Sequence, residues 1–181
     1  MLKKFKTKKD KEVSIRYLCK DDTKDLLELY NSLVDEKSYT VATRKLNLNQ
    51  EKIFVESSLN KIIKAEAIFL VAEYNNKALG ITSIVKEQSP IIEHRGNFGI
   101  ILSRDIRGEG VGEELMKCVI KETQRFLKIK LITLNVFEEN IAAINLYKKM
   151  NFIQVGKIEK GLKHFGRYKN EIIMVKYIWL F

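Results

Sequence analysis

The sequence predicts an α/β fold, a mixed β-sheet with helices on both faces. Three observations carry that prediction. Apolar residues switch between strand and helix periodicity along the chain, the resulting order reads βααβββαβαββ, and neither an internal repeat nor a linker interrupts it. At 181 residues, with 45% hydrophobic and 31% charged side chains, one domain with a sizeable core is expected.

The elements follow in order. Residues 1–12 hold Lys3, Lys4, Lys6, Lys8, Lys9 and Lys11 and read as a basic, flexible tail before a domain at residues 13–181. Residues 13–18, VSIRYL, alternate apolar and polar as a half-buried strand, and Asp22 is placed to cap a helix whose apolar face is Leu26, Leu27, Tyr30, Leu33 and Val34. A second helix starts near Asn49 and carries Ile53, Phe54, Leu59, Ile62 and Ile63. AIFLVAEYNNKALGITSIVKE reads as two strands about a Tyr-Asn-Asn-Lys turn, because asparagine tolerates left-handed dihedrals. Pro90 breaks the chain and NFGIILS makes a fourth strand. Leu115, Met116, Val119, Ile120, Thr123 and Leu127 then repeat at helical spacing. LITLNV is a strand, NIAAINLYKKM a short helix with Ile144, Tyr147 and Met150 on one side, and FIQVGKIEK and NEIIMVKYIWL are closing strands.

Composition narrows the class. No stretch approaches the roughly 20 apolar residues needed to span a bilayer, and no apolar run follows the N-terminal lysines, so a cytoplasmic protein without a membrane partner is expected. Cys19 and Cys118 lie far apart with no CxxC spacing and no histidine cluster, which indicates neither a disulfide framework nor a metal site. The net charge of +10 keeps RNA open as a partner, but the excess is diffuse and lysine far outnumbers arginine, as on a solvated surface.

The densest motif is SRDIRGEGVGEELM, residues 103–116, which places three of the nine glycines, Gly108, Gly110 and Gly112, at alternate positions before the long helix. A P-loop needs Gly-Lys-Ser/Thr, which is missing after Gly112, and a dinucleotide fingerprint needs a glycine where Glu113 stands. What remains is a strand-to-helix turn whose successive N–H groups face one spot before a helix N-terminus, where an anion is favoured. A merely flexible turn is the plain alternative.

At these residues the sequence resembles the GNAT-type N-acetyltransferase superfamily. Arg107-x-x-Gly110-x-Gly112 matches the family's Gln/Arg-x-x-Gly-x-Gly/Ala acetyl-CoA loop. NVFEENIAAINLYKKMNF is similar to the family's strand-Asn-x-x-Ala-x-x-Leu-Tyr-x-x-x-Gly-Phe segment through Asn140, Ala143, Leu146, Tyr147 and Phe152, with Asn151 replacing the usual glycine. The resemblance covers roughly residues 13–177, and GRYKNEIIMV looks like the last strand of members that acetylate protein N-termini or small amines. It implies about seven strands with a splayed central pair, about four helices, acetyl-CoA as co-substrate and no metal.

The resemblance also implies roles. Acetyl-CoA would lie in a V-shaped cleft between NFGIILS and LITLNV, its pyrophosphate on the Arg107, Gly108, Glu109, Gly110, Val111, Gly112 and Glu113 loop and its pantetheine along Ile100, Ile101 and Leu102. An amide near Ile100 or Ile101 would stabilise the developing oxyanion. Tyr147 would protonate the leaving thiolate, although it also fits the apolar stripe of its helix, and Asn140 would cap that helix or bond the pantetheine. Some relatives place a glutamate base on the fifth strand, where this chain has Asn135; Glu93 or His94 could act through water instead.

A weak base suits amines of low pKa. At pH 7 a lysine amine is only about 0.04% neutral, an α-amine roughly 10 to 15%. The acceptor wall is expected from residues 35–50 and from Lys157, Lys160, Lys163, Arg167 and Lys169, set against Glu159 alone, which would repel polyamines and favour an anionic or RNA-bound acceptor. The expected reaction is acetylation of a protein N-terminus or small amine. Acetylation of aminoacyl-tRNA and a non-catalytic acyl-CoA or RNA-binding module are the alternatives, and a homodimer stays open.

Overall fold

The computed structural model describes residues 1–178; the Trp179–Leu180 end of the last expected strand lies outside them. Its elements are β1 (Lys3–Lys6), β2 (Glu12–Tyr17), α1 (Thr23–Asp35), α2 (Leu48–Ile63), β3 (Ala67–Tyr74), β4 (Lys77–Lys86), β5 (Arg95–Leu102), α3 (Val111–Phe126), β6 (Leu131–Phe137), α4 (Ile141–Lys149), β7 (Ile153–His164) and β8 (Arg167–Tyr177). The strands form one sheet in the order β1-β2-β3-β4-β5-β6-β8-β7.

The sheet therefore has eight strands rather than seven. The additional strand is β1, in the segment read as a tail, which pairs antiparallel with β2 from Lys3↔Ile15 to Lys6↔Glu12. Its single apolar side chain, Phe5, packs against the main core. Its lysines are answered by acids: Lys3 pairs with Glu114 of α3, and Lys4 lies 3.0 Å from Glu12. A charged edge of this kind discourages further strand addition.

Asp22 does not cap α1 with its side chain. Its carboxylate accepts from the Cys19 amide at 2.8 Å and from both terminal nitrogens of Arg16 at 2.9 and 2.7 Å. The buried apolar positions of α1 are Leu26, Leu29 and Leu33. Asn47 caps α2 through a reciprocal capping box with Gln50. The inner face of α2 is not the apolar one expected: Glu51, Val55 and Ser58 are buried, whereas Ile53 and Ile63 are 67% and 81% exposed. Leu59 and Ile62 do reach the smaller core.

Asn75 and Asn76 take φ of 51° and 58° at the β3–β4 turn, as a tight hairpin requires. All six apolar-stripe residues expected around α3, from Leu115 to Leu127, are buried. The basic residues from Lys157 to Lys169 lie on the β7–β8 hairpin, turned at Phe165 and Gly166 with φ of 44° and 80°. One core lies between the sheet and α3–α4, around Leu115, Met116, Ile132 and Met174; a second lies under α1 and α2, around Leu26, Val55, Phe69 and Val71.

Candidate active site

The site begins where the sheet opens. β5 and β6 run parallel but pair only at Arg95↔Leu131, Gly96↔Ile132 and Asn97↔Thr133. On their other sides, β5 stays paired with β4 as far as Leu102 and β6 with β8 as far as Phe137. The two strands therefore part after Asn97, and the β6-facing edge of residues 98–102 has no strand partner among the described residues. This is the splayed central pair.

The glycine turn continues from that free edge. Gly108 and Gly110 take φ of 72° and 92°, and a Cβ at either would meet nothing within 4 Å, so the ground before α3 is open. The amides of Gly108, Glu109, Gly110, Val111, Gly112 and Glu113 meet no acceptor among the described residues; the first α3 bond runs from Glu114 N to Gly110 O. Successive free amides before a helix make an anion cradle. Gly112 serves another purpose. It is buried, and a Cβ there would stand 3.1 Å from Leu146 Cδ2 and 3.4 Å from Leu102 Cδ1, so its lack of a side chain lets α3 lie against α4 and β5.

The side chains of this loop turn to the protein. Arg107 donates from Nε to Leu102 O at 2.8 Å and from Nη1 to Glu36 at 2.6 Å, tying the end of β5 to the end of α1. Glu109 is 3% exposed and accepts from Thr7 Oγ1 at 2.8 Å and Lys11 Nζ at 2.9 Å. The Lys11 bond, then the Thr7 bond, hold its carboxyl below the usual range. Glu113 bridges Lys117 at 2.8 Å and Lys149 at 2.6 Å, joining α3 to α4, and these two bonds hold its carboxyl at about 2.

Tyr147 lies in the core beside the point of divergence, its ring 5.9 Å from Phe98 in an edge contact and 6.0 Å from Phe152. Burial pushes its phenol up to about 12, and the hydroxyl has no hydrogen-bond partner among the described residues. Asn140 caps α4, accepting from the Ala143 amide at 3.2 Å, and its Nδ2 donates to Tyr39 O at 3.4 Å.

The structure does not bring the proposed bases to the opening. Glu93 is exposed, lies 3.3 Å from Lys86, and precedes β5 at its closed end, roughly 20 Å of strand from Ile100. The His94 side chain is also exposed there, while its carbonyl accepts from the Lys130 and Leu131 amides. Asn135 donates to Glu171 of β8 at 2.7 Å.

Sequence reasoning missed the most isolated carboxylate. A cavity of about 280 Å³ lies between the sheet and α1–α2, walled by Tyr30, Phe54 and Phe69 and floored by Gly99, Ile100 and Ile101. Glu51 lines it at 3% exposure, with no hydrogen bond or ion pair among the described residues, and burial pushes its carboxyl up. Its spacing to Val55 and Ser58 was the available signal, hidden by Ile53 and Phe54 beside it. His164 was missed too: it lies 3.0 Å from Ser38 O and packs against Tyr39 and Phe137, seating the β7–β8 hairpin on the segment after α1. On that hairpin, Lys157 pairs with Glu138 at 2.7 Å and Lys169 with Glu139 at 2.8 Å, so Glu159 is not the only opposing acid.

A splayed parallel pair opening onto an amide-lined turn defines a class of acyl-CoA transferase folds, and the comparisons agree. The yncA protein from Salmonella typhimurium, solved with acetyl-CoA, superposes at a TM-score of 0.81 over 92% of this chain and 94% of its own, at 20% identity. Residues 26–152 match the acetyltransferase (GNAT) family, and the chain belongs to that family. It is 31% identical over 107 residues to the L-amino acid N-acetyltransferase AaaT of Escherichia coli (strain K12), covering 59% of this chain and 66% of that protein. It is 33% identical over 70 residues to the spermine/spermidine N(1)-acetyltransferase of Bacillus subtilis (strain 168), covering 39% and 41%. The matches thus span less than two thirds of either relative. Among the described residues no cluster of metal-ligating side chains occurs and no helix is long and apolar enough to cross a membrane.

Proposed function

We propose that this chain transfers the acetyl group of acetyl-CoA to a primary amine, on a protein N-terminus or a small molecule, by direct attack in a ternary complex. The observation that carries this reading is the run of six amides, Gly108 to Glu113, without acceptors among the described residues, leading on from the edge of β5 that no described strand pairs. The residues fit the co-substrate. The open ground before Gly108 and Gly110 admits a pyrophosphate, and the amides with the α3 dipole supply its counter-charge.

The β6-facing edge of β5 at Ile100 to Leu102, where the Leu102 carbonyl already accepts from Arg107, takes the pantetheine as a neighbouring strand would, and the Ile100 amide meets the thioester oxygen as charge develops on it. Arg107, Glu109 and Glu113 act through their side-chain anchors, which fix the shape of the amide run. Asn140 holds the start of α4, and α4 carries Tyr147, whose free hydroxyl is the donor for the leaving thiolate.

The test is thiol release from acetyl-CoA in the presence of a panel of amines, alongside calorimetric binding of acetyl-CoA. Amine-dependent thiol release is expected. Binding without release for any amine would reduce the chain to an acyl-CoA-binding module, and absence of binding would remove the cradle assignment.

A further inference from the structure

Glu51 is a carboxylate that the fold does not use. It is buried at 3% exposure, has no side-chain partner among the described residues, and lines the cavity whose floor is Gly99 to Ile101. Buried polar groups are almost always paired, and an isolated buried charge costs far more than a neutral group. A carboxylate kept in this state answers to something outside the chain. The cavity reaches the stretch of β5 where the thioester carbonyl is proposed to lie, so its occupant is the acceptor.

We infer that Glu51 receives the acceptor's ammonium group and takes its proton, and that the site selects primary amines with an apolar group beside the nitrogen and no carboxylate in the cavity. This rests on the acetyltransferase reading above. The walls set the selection. Tyr30, Phe54 and Phe69 offer aromatic faces, and among the described residues no charged side chain other than Glu51 lines the cavity from α1, the 40–46 segment, β3, β4 or β5. Tyr30 is its titratable neighbour, with a phenol pushed up by burial and by the charge of Glu51. A free amino acid would bring a second carboxylate beside Glu51 in a poorly solvated space. A polyamine would have to strip water from a second ammonium with no second acid to meet it.

The step balances. The amine enters as R–NH3+, and one proton passes to a Glu51 oxygen, leaving a nitrogen lone pair. Nitrogen bonds to the thioester carbonyl carbon, and the C–S bond breaks with its electron pair going to sulfur. The second proton lost by nitrogen ends on sulfur, with the Tyr147 hydroxyl as donor at that end, and the proton on Glu51 returns to water. The products are the amide, the CoA thiol and one proton. Burial brings the Glu51 carboxyl toward the amine in basicity, which eases the transfer.

The ligand chemistry has two sources, a free monoamine and a peptide N-terminus with an apolar first side chain, and separate arms distinguish them. Phenethylamine and a leucine-initiated peptide are compared with phenylalanine and spermidine. One or both of the first pair should exceed the second pair in kcat/KM by about tenfold or more. Glu51→Gln should lower kcat/KM for the preferred amine by about 100-fold and abolish the acid limb of its pH profile, leaving the KM for acetyl-CoA unchanged. Glu51→Leu should melt at or above the parent, because an unpaired buried charge is removed.

Parental kinetics and pH profile in Glu51→Gln would overturn the inference, as would phenylalanine or spermidine as the best acceptor, or a large loss of stability in both variants. A carbon-detected titration separates its failure from that of the acetyltransferase reading. With CoA present, the carboxyl resonance missing in Glu51→Gln should shift when phenethylamine or the peptide is added. No shift with either overturns the role of Glu51 even if amines are acetylated; a shift without thiol release keeps the amine site and overturns acetyl transfer.

Discussion

Thr7 donates a 2.8 Å hydrogen bond from Oγ1 to Oε2 of Glu109, joining the turn after β1 to the middle of the glycine run. Lys11 holds the other carboxylate oxygen at 2.9 Å, and the Lys8 amide donates to Glu109 O at 3.3 Å. The first strands of the sheet thereby fix the residue between the two left-handed glycines of the amide cradle. Glu109→Gln should weaken acetyl-CoA binding by about tenfold, the size of one lost charge-assisted bond, as read by calorimetry. The sign with pH follows from the depressed carboxyl. Its contribution to stability is complete above the unfolded value near 4.3 and disappears as pH falls through the lower folded value. The parent should therefore lose more melting temperature on acidification than Glu109→Gln; equal slopes would show that this anchor carries no stability.

The glycines should separate by conformation. At Gly110, with φ of 92°, alanine is strained by about 1 to 2 kcal/mol whatever the space, and relief of that strain turns the amides away from the anion. Gly110→Ala should cost acetyl-CoA affinity more than stability. Gly112→Val should act through packing, since its side chain would press on Leu146, already 3.1 Å from the Cβ position. Trimming the neighbour in Gly112→Val/Leu146→Ala should recover melting temperature lost in the single variant. No recovery would place the requirement for Gly112 on the ligand side instead.

Those two predictions divide along what could be read from the chain. The turn, the Asn75–Asn76 hairpin and the face of α3 depend on neighbours within a few residues, so local spacing exposes them. The partners of Arg107 and Glu109 come from Glu36 and Thr7, 71 and 102 residues away, and no local pattern encodes them. β1 was hidden for the same reason: its lysines look solvated until Glu114 and Glu12 are brought beside them. On α2 the difficulty was different. Ile53 and Ile63 are exposed while Glu51 is buried, so hydrophobic periodicity picked out residues that do not face the sheet and passed over the buried carboxylate. Glu93 entered because it is near β5 in sequence, but the cleft opens at the strand's other end.

The basic hairpin yields a salt prediction. Lys157 and Lys169 are neutralised by Glu138 and Glu139, which reduces the field expected from the raw count. For an uncharged-tailed amine such as phenethylamine, kcat/KM should change less than about tenfold over the salt range in which a protein contacting several phosphates loses orders of magnitude in affinity. The triple variant Lys160→Ala/Lys163→Ala/Arg167→Ala should leave that kcat/KM unchanged. Tight tRNA binding with a steep log-log salt slope, flattened in the triple variant, would move the acceptor to an RNA-borne amine.

Tyr147 separates chemistry from packing. Its ring is held by Phe98 and Phe152, and its hydroxyl has no partner among the described residues, so Tyr147→Phe removes a proton donor without opening a cavity. Acetyl-CoA affinity and neutral-pH melting temperature should stay near the parent, while kcat falls by about 100-fold if the phenol assists departure of the thiolate. Burial raises the phenol from 10.0 to about 12, so the stability it lends is complete below pH 10 and is lost as pH rises toward 12. The parent should show a larger alkaline loss than Tyr147→Phe, in which Tyr17, also raised to about 12, still contributes its own. Over the working range the phenol stays protonated, so the fall in kcat should be the same at every pH between about 6 and 9. A fall that varies with pH would mean that Tyr147 tunes another titrating group, and an unchanged kcat would leave the leaving thiolate to solvent and the catalysis to backbone amides and positioning.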